Sequence, residues 1–212
     1  MTETTMSASR VVVVRRGQRL TWLTLGYNCL EAVVALAAGF AAGSIALEGF
    51  GVDSVIEVSA SVAALWRLHH DLDPARRERA ERLAHRLVGL SFLALAGYVA
   101  WQAVEALFTL AAPAESPVGI ALAALSLLVM PLLARAKRRV GNQLRSDAIV
   151  AESKQTSLCA WLSAILLGGL LLNALLGWWW ADPVAALAMV PIIVREGVDG
   201  LRNRPCCDHC TT

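Results

Sequence analysis

Long apolar runs separated by short polar breaks fill the chain from residue 20 onward. A helix needs about 20 mostly apolar residues to cross a hydrocarbon core. Against that length the pattern predicts six spans, at residues 20–41, 44–66, 83–110, 118–134, 149–176 and 183–201. Little more than Ala42-Gly43-Ser44 joins the first two, so they are expected as an antiparallel pair with a tight turn. Gly39, Gly43, Gly49 and Gly51 would let the two backbones approach closely, as helix interfaces in membranes prefer. Pro131 predicts a kink where span four ends, and Asp182-Pro183 predicts an N-cap and a first-turn proline for span six. The fold class that follows is all-α, a polytopic membrane protein of six transmembrane helices.

Charge placement orients that bundle. All 19 Lys and Arg residues lie before span one, between spans two and three, between spans four and five, or at the neighbouring ends of spans five and six. The connectors around Gly43, Glu115 and Asp182 carry none. Because basic residues stay on the cytoplasmic side, both termini are expected in the cytoplasm and the Trp178-Trp179-Trp180 cluster at the outer interface. The net charge of +2 is then a topology signal, and bases dispersed beside apolar spans exclude a nucleic-acid partner. At 57% hydrophobic residues the chain is too apolar for an ordinary soluble domain. Its first apolar run is too long for a signal peptide and lacks a small-residue cleavage site. Residues 1–19 are expected as a loose basic cytoplasmic arm, 20–203 as the six-helix membrane domain, and 204–212 as a short Cys/His cytoplasmic tail. The five cysteines fall within spans or on the reducing side, so no disulfide framework is expected.

Ionisable residues inside the spans carry the chemistry. Asp53 and Glu57 in span two stand four apart, which puts both carboxylates on one helix face, one turn from each other. Each ionised acid near a bilayer centre costs about 2.5 to 3.5 kcal/mol. A divalent cation that exchanges with protons would neutralise both at once. In span five Glu152, Gln155 and Cys159 follow the i, i+3, i+7 spacing of one face, at a depth that meets Asp53 and Glu57 slightly inside the midplane. A shared tetrahedral metal site is the expectation, with Glu152 able to move into it; the alternative for Cys159 is a small buried hydrophobe. Asn28 and Glu31 share a face of span one and either line the cation path or make interhelical hydrogen bonds. Glu48 points elsewhere, toward a subunit contact or an outer vestibule. Two cytoplasmic groups, His69-His70-Asp71-Leu72-Asp73 and the tail Cys206-Cys207-Asp208-His209-Cys210, hold further metal donors in what are otherwise ordinary polar segments. No His-Glu-x-x-His signature occurs in any span, and neither an enzyme nor a permanently bound cofactor is expected.

Gly43-Ser-Ile-Ala-Leu47 followed by Val52-Asp53-Ser54-Val55-Ile56-Glu57, then Arg145-Ser-Asp-Ala148 before span five and Ala181-Asp182-Pro183-Val184-Ala185-Ala186 opening span six, resemble the membrane domain of the cation diffusion facilitator family. The resemblance covers about residues 20 to 203. It implies a six-helix exchanger that exports zinc or a similar transition metal from the cytoplasm against protons, in the cytoplasmic membrane of a bacterium. It also implies a transport site joining two acids of span two to a His and an Asp on span five. Asp53 and Glu57 match the first pair, whereas Gln155 and Cys159 stand where the His and Asp belong. That departure implies either an altered metal preference or a non-transporting partner subunit or metal sensor built on the same fold. The chain stops soon after span six, so a membrane domain without the family's C-terminal cytoplasmic domain is expected, and any homodimer would rest on the membrane helices.

Overall fold

A computed structural model describes residues 2–69, 74–110, 113–144 and 147–202. They form six helices, α1 (Thr2–Ala42), α2 (Ile45–His69), α3 (Pro74–Thr109), α4 (Pro117–Leu144), α5 (Asp147–Leu176) and α6 (Ala181–Arg202), with no strand among the described residues. Local chemistry sets their ends. Ser44 caps α2 by accepting the Leu47 N–H at 3.2 Å, and Ser116 caps α4 by accepting the Gly119 N–H at 3.1 Å, with Pro117 at the first helical position. Gly43 and Gly177 follow α1 and α5 at φ of +64°, the left-handed conformation that closes a helix and that glycine adopts without strain.

The interior combines a hydrophobic core, with Leu47, Phe50, Val99, Met130, Leu166 and Met189 in it, and a set of buried polar side chains, while large apolar side chains cover the outside. Trp22, Leu30, Phe40, Trp101, Phe108, Leu128, Trp161 and Leu175 are exposed, whereas Thr21, Asn28, Glu31, Asp53, Glu57, Lys137, Glu152 and Thr156 are buried. Water as the surrounding solvent would reverse that distribution; hydrocarbon favours it. Among the described residues four helices are long and apolar enough to cross a membrane, over Arg15–Ala42, Gly89–Thr109, Pro117–Gln143 and Glu152–Leu176. The other two, α2 and α6, carry acids along their length and are shielded by their neighbours. Helix α2 packs against α1, α3, α5 and α6, and α6 packs against α2, α3 and α5.

Three segments differ from expectation. The backbone of residues 2–19 is helical and continuous with the first span, in place of a loose arm. Helix α4 runs on to Leu144 past Pro131, so the proline interrupts one backbone hydrogen bond without ending the helix. Helix α6 starts at Ala181, which puts Asp182 inside its first turn, and the Asp182 carboxylate caps another helix instead of its own. It accepts the Ser44 hydroxyl, the Ile45 N–H at 2.9 Å and the Ala46 N–H at 3.4 Å. The free N–H groups and positive dipole end of α2 draw the negative charge there.

Of the four glycines expected to bring α1 and α2 together, Gly39 and Gly51 do so. A Cβ on Gly39 would lie 2.9 Å from the Glu48 backbone nitrogen, and one on Gly51 would lie 2.8 Å from Leu36. Gly49 instead faces Val99 of α3, and Gly43 makes the turn.

The Lys- and Arg-free connectors share one end of the bundle. Ala114 N–H donates to the Ala42 carbonyl at 2.8 Å, the Asn173 amide donates to the Pro113 carbonyl at 3.2 Å, and Ser44 meets Asp182.

Candidate functional site

Four helices each turn polar residues inward, on α1 and α5 at steps of three or four residues, on α2 with Asp53 as the immediate neighbour of Ser54, and on α4 eleven residues apart. Thr21, Thr24, Asn28 and Glu31 are buried on α1; Asp53, Ser54, Glu57 and Ser61 on α2; Ser126 and Lys137 on α4; and Glu152, Thr156, Cys159 and Ser163 on α5. Steps of three or four keep side chains on one helix face. These residues meet in two clusters.

The deeper cluster surrounds Glu31 and Glu57, each with 1% of its surface exposed. The Ser54 hydroxyl donates to Glu31 Oε2 at 2.9 Å, and the Cys159 thiol lies 3.8 Å from the same oxygen. Thr156 donates to Glu57 Oε1 at 2.8 Å. The second oxygen of each carboxylate, Glu31 Oε1 and Glu57 Oε2, is buried without a partner. So are Tyr27 Oη, both amide atoms of Asn28 and the Ser126 hydroxyl. Asn28 approaches Glu57, and Ser126 approaches Glu31, Tyr27 and Cys159, close enough to act on them electrostatically but outside normal hydrogen-bond geometry. Asp53, also buried, lies within Coulomb range of Glu57, Glu31 and Glu196 of α6.

The second cluster is centred on Glu152, one turn before Thr156. Lys137 Nζ donates to Glu152 Oε1 at 2.8 Å, and Ser61 donates to the same oxygen at 3.1 Å. Thr21 donates to Glu152 Oε2 at 3.4 Å. One carboxylate of α5 therefore ties α1, α2 and α4. Lys137 also reaches Thr156 Oγ1 at 3.2 Å, so a single hydroxyl links the buried ammonium to Glu57.

Residues 21–204 match the family model for the cation efflux transmembrane domain. The chain belongs to the cation efflux family. Among individual proteins, an uncharacterized transporter of Synechocystis sp., sll1263, is 27% identical over 167 residues, covering 76% of this chain and 54% of the relative. The chain thus spans about half the length of the curated relative it matches.

Within this cation efflux domain, the structure brings together some of the residues expected at a metal site and separates others. Glu57 and Cys159 enter the deeper cluster, Asp53 lies beside it, and Glu152 is engaged by Lys137. Gln155 is only partly buried, makes no hydrogen bond to Asp53, Glu57 or Cys159, and leaves its Nε2 unpartnered. Among the described residues no three His, Cys, Asp or Glu side chains converge as a ready-made metal cage. Residues 70–73 and the Cys206–Cys210 tail lie outside the described residues, and the two cytoplasmic metal groups with them. Glu48 joins neither cluster; it accepts the Tyr98 hydroxyl at 3.2 Å.

Sequence reasoning missed Thr156 and Lys137. Thr156 fits the spacing from Glu152 to Cys159 as well as Gln155 does. Lys137 continues the buried face of Ala123, Ser126, Met130 and Ala134 at helical steps, a signal hidden by the Arg residues around it.

Proposed function

We propose that this chain carries a divalent metal cation, zinc or an ion of similar borderline character, out of the cytoplasm in exchange for protons. The observation that carries the reading is the pair of half-satisfied carboxylates, Glu31 Oε1 and Glu57 Oε2, buried in a bundle with an apolar exterior. A buried polar atom without a partner costs about 1–3 kcal/mol, more when charged. A passing cation would supply the missing interaction. Asp53 and Glu57 provide the negative charge and Cys159 a softer donor, a set suited to zinc. Each carboxyl or thiol that binds the metal must first give up its proton, and can take one back when the metal leaves, which couples the two fluxes. The placement of the basic residues supports both termini in the cytoplasm and six crossings.

Reconstitution into vesicles with a panel of divalent ions and an internal pH dye tests metal and proton movement together. Parent protein is expected to move zinc with an opposing pH change. Asp53→Asn, which keeps size and removes charge, is expected to abolish flux while the protein still folds, and Glu57→Asp to slow it less. Undiminished flux through well-expressed Asp53→Asn would refute the role of Asp53.

A second reading, a non-transporting partner or metal sensor, is favoured by Gln155 and Cys159 in place of the family's His and Asp and by the ammonium held one hydroxyl from Glu57. Metal binding without flux would select it.

A further inference from the structure

We infer that Glu31 of α1 is itself a ligand of the transported cation, so that the binding site spans α1, α2 and α5, with donors from Glu31, Glu57 and Cys159, and with Asp53 and the Asn28 amide beside them. The inference rests on the proposed cation-transport function and adds a ligand and a helix to it. Three independent observations support it.

The first is the arrangement of satisfied and free atoms. Ser54 holds one oxygen of Glu31, and Thr156 holds one oxygen of Glu57, through hydroxyl donors from neighbouring helices. Both carboxylates keep their other oxygen free. Carboxylates that only stabilised the helix packing would be expected to have both oxygens occupied, because buried polar groups are almost always paired. Glu152, on the same bundle, is paired in that way.

The second is Asn28. It is completely buried, and neither its amide nitrogen nor its carbonyl oxygen has a partner. It stands one turn from Glu31 on the same face and approaches Glu57. Its amide nitrogen is the atom that faces Glu57, and turning the amide over would offer its carbonyl oxygen to a cation held between the two acids.

The third is the thiol. Cys159 Sγ lies 3.8 Å from Glu31 Oε2, whereas no hydrogen bond connects it with Asp53 or Glu57. The donor set therefore reaches span five through Glu31. Glu31 and Glu57 match a divalent charge while Cys159 keeps its proton, and loss of that proton on binding adds one negative charge; one sulfur among oxygens suits zinc or cadmium over magnesium. The donors do not yet converge on one point, and the cation would draw the free oxygens together.

The test uses the full chain purified in detergent, in a background with Cys29, Cys206, Cys207 and Cys210 replaced by Ser, so that Cys159 is the one thiol. Zinc alone is titrated calorimetrically, and cadmium alone is followed by the ultraviolet charge-transfer absorbance of a cadmium–thiolate bond. Parent protein is expected to bind zinc and to show the cadmium band. Glu31→Gln is expected to weaken zinc at least tenfold and to reduce the band, Glu31→Asp to do so less, and Asn28→Ala to weaken zinc several-fold. Glu105→Gln, an exposed acid on α3, serves as the control and should match the parent. If Glu31→Gln fails to fold, Glu31→Asp carries the comparison. Parent-like zinc affinity and an undiminished band in folded Glu31→Gln or Glu31→Asp would overturn the role of Glu31 alone. A parent that binds neither metal would overturn the transport reading and this inference together.

Discussion

Glu57 and Glu152 are buried glutamates on facing helices, linked through Thr156 and Lys137, and their environments are opposite. Glu152 receives Lys137 and Ser61 on one oxygen, its other oxygen shares the Thr21 hydroxyl with the Gly17 carbonyl, and its charge is balanced by an ammonium 2.8 Å away. Glu57 receives Thr156 on one oxygen and nothing on the other. Glu31 repeats the pattern of Glu57 with Ser54 as its donor. The difference separates two uses of an acid inside a membrane bundle. A carboxylate whose lone pairs are filled by the protein holds helices together; one that keeps lone pairs free is available to a ligand. Burial alone cannot tell them apart, since all three are at most 5% exposed.

The largest effect should come from breaking the satisfied cluster. Lys137→Met leaves Glu152 buried without its countercharge and is expected to destabilise the protein by about 3–5 kcal/mol, because removing one partner of a buried ion pair strands the other. Lys137→Met combined with Glu152→Gln removes both charges and should recover most of that loss. Thermal unfolding in detergent of the two single variants and the double gives the coupling, and a double variant no more stable than Lys137→Met would contradict the assignment of the pair as structural.

Thr156→Val comes next. Valine keeps the shape and removes the hydroxyl between Lys137 and Glu57, leaving Glu57 without its hydrogen bond. A loss of about 1–3 kcal/mol is expected. A smaller loss than that of Ser61→Ala, which leaves Glu152 two other donors, would show that the Thr156 hydroxyl does not serve Glu57.

Glu31→Gln and Glu57→Gln sharpen the contrast from the other side. Each removes a buried charge that the protein leaves half satisfied, and the amide oxygen can still accept from Ser54 or Thr156. Stability should change by no more than about 1 kcal/mol in either direction, against the several lost at Lys137. Unfolding midpoints measured without metal decide this, and a loss as large as that of Lys137→Met would place these acids in the scaffold.

Much of this was legible from residue order. The apolar runs located the six helices, the placement of the 19 basic residues matched the shared end of the basic-free connectors, and Asp53, Glu57, Cys159 and Glu152 stood out as polar residues in apolar surroundings. Partners were not legible, for physical reasons. Lys137 sits among Arg135, Arg138 and Arg139, and the positive-inside rule accounts for all four equally. Only the packing of α4 on α5 shows that Lys137 alone turns inward. Asp182 carries the sequence signature of an N-cap, and the signature does not say whose helix it caps. Glu31 and Asn28 could be placed on one face, but whether their atoms were paired depended on which residues of α2, α4 and α5 came opposite.

The smallest expected effect belongs to Gln155, where helical spacing left two answers. From Glu152, steps of three and of four residues reach Gln155 and Thr156, about 100° apart around the helix, and either can share a face with Cys159. The structure gives the inward position to Thr156, which touches Glu57 and Lys137, and leaves Gln155 partly buried with an unpartnered Nε2. Gln155→Leu removes that unpartnered group and adds apolar surface at a boundary position, so stability should move by less than about 0.5 kcal/mol. Zinc affinity should stay at the parent value, because no donor of the deeper cluster is touched. The same titration and unfolding measurements made on Thr156→Val give the reference. A tenfold loss of zinc affinity in Gln155→Leu would return Gln155 to the metal site and would mean that α5 turns by about one residue when it binds its cation.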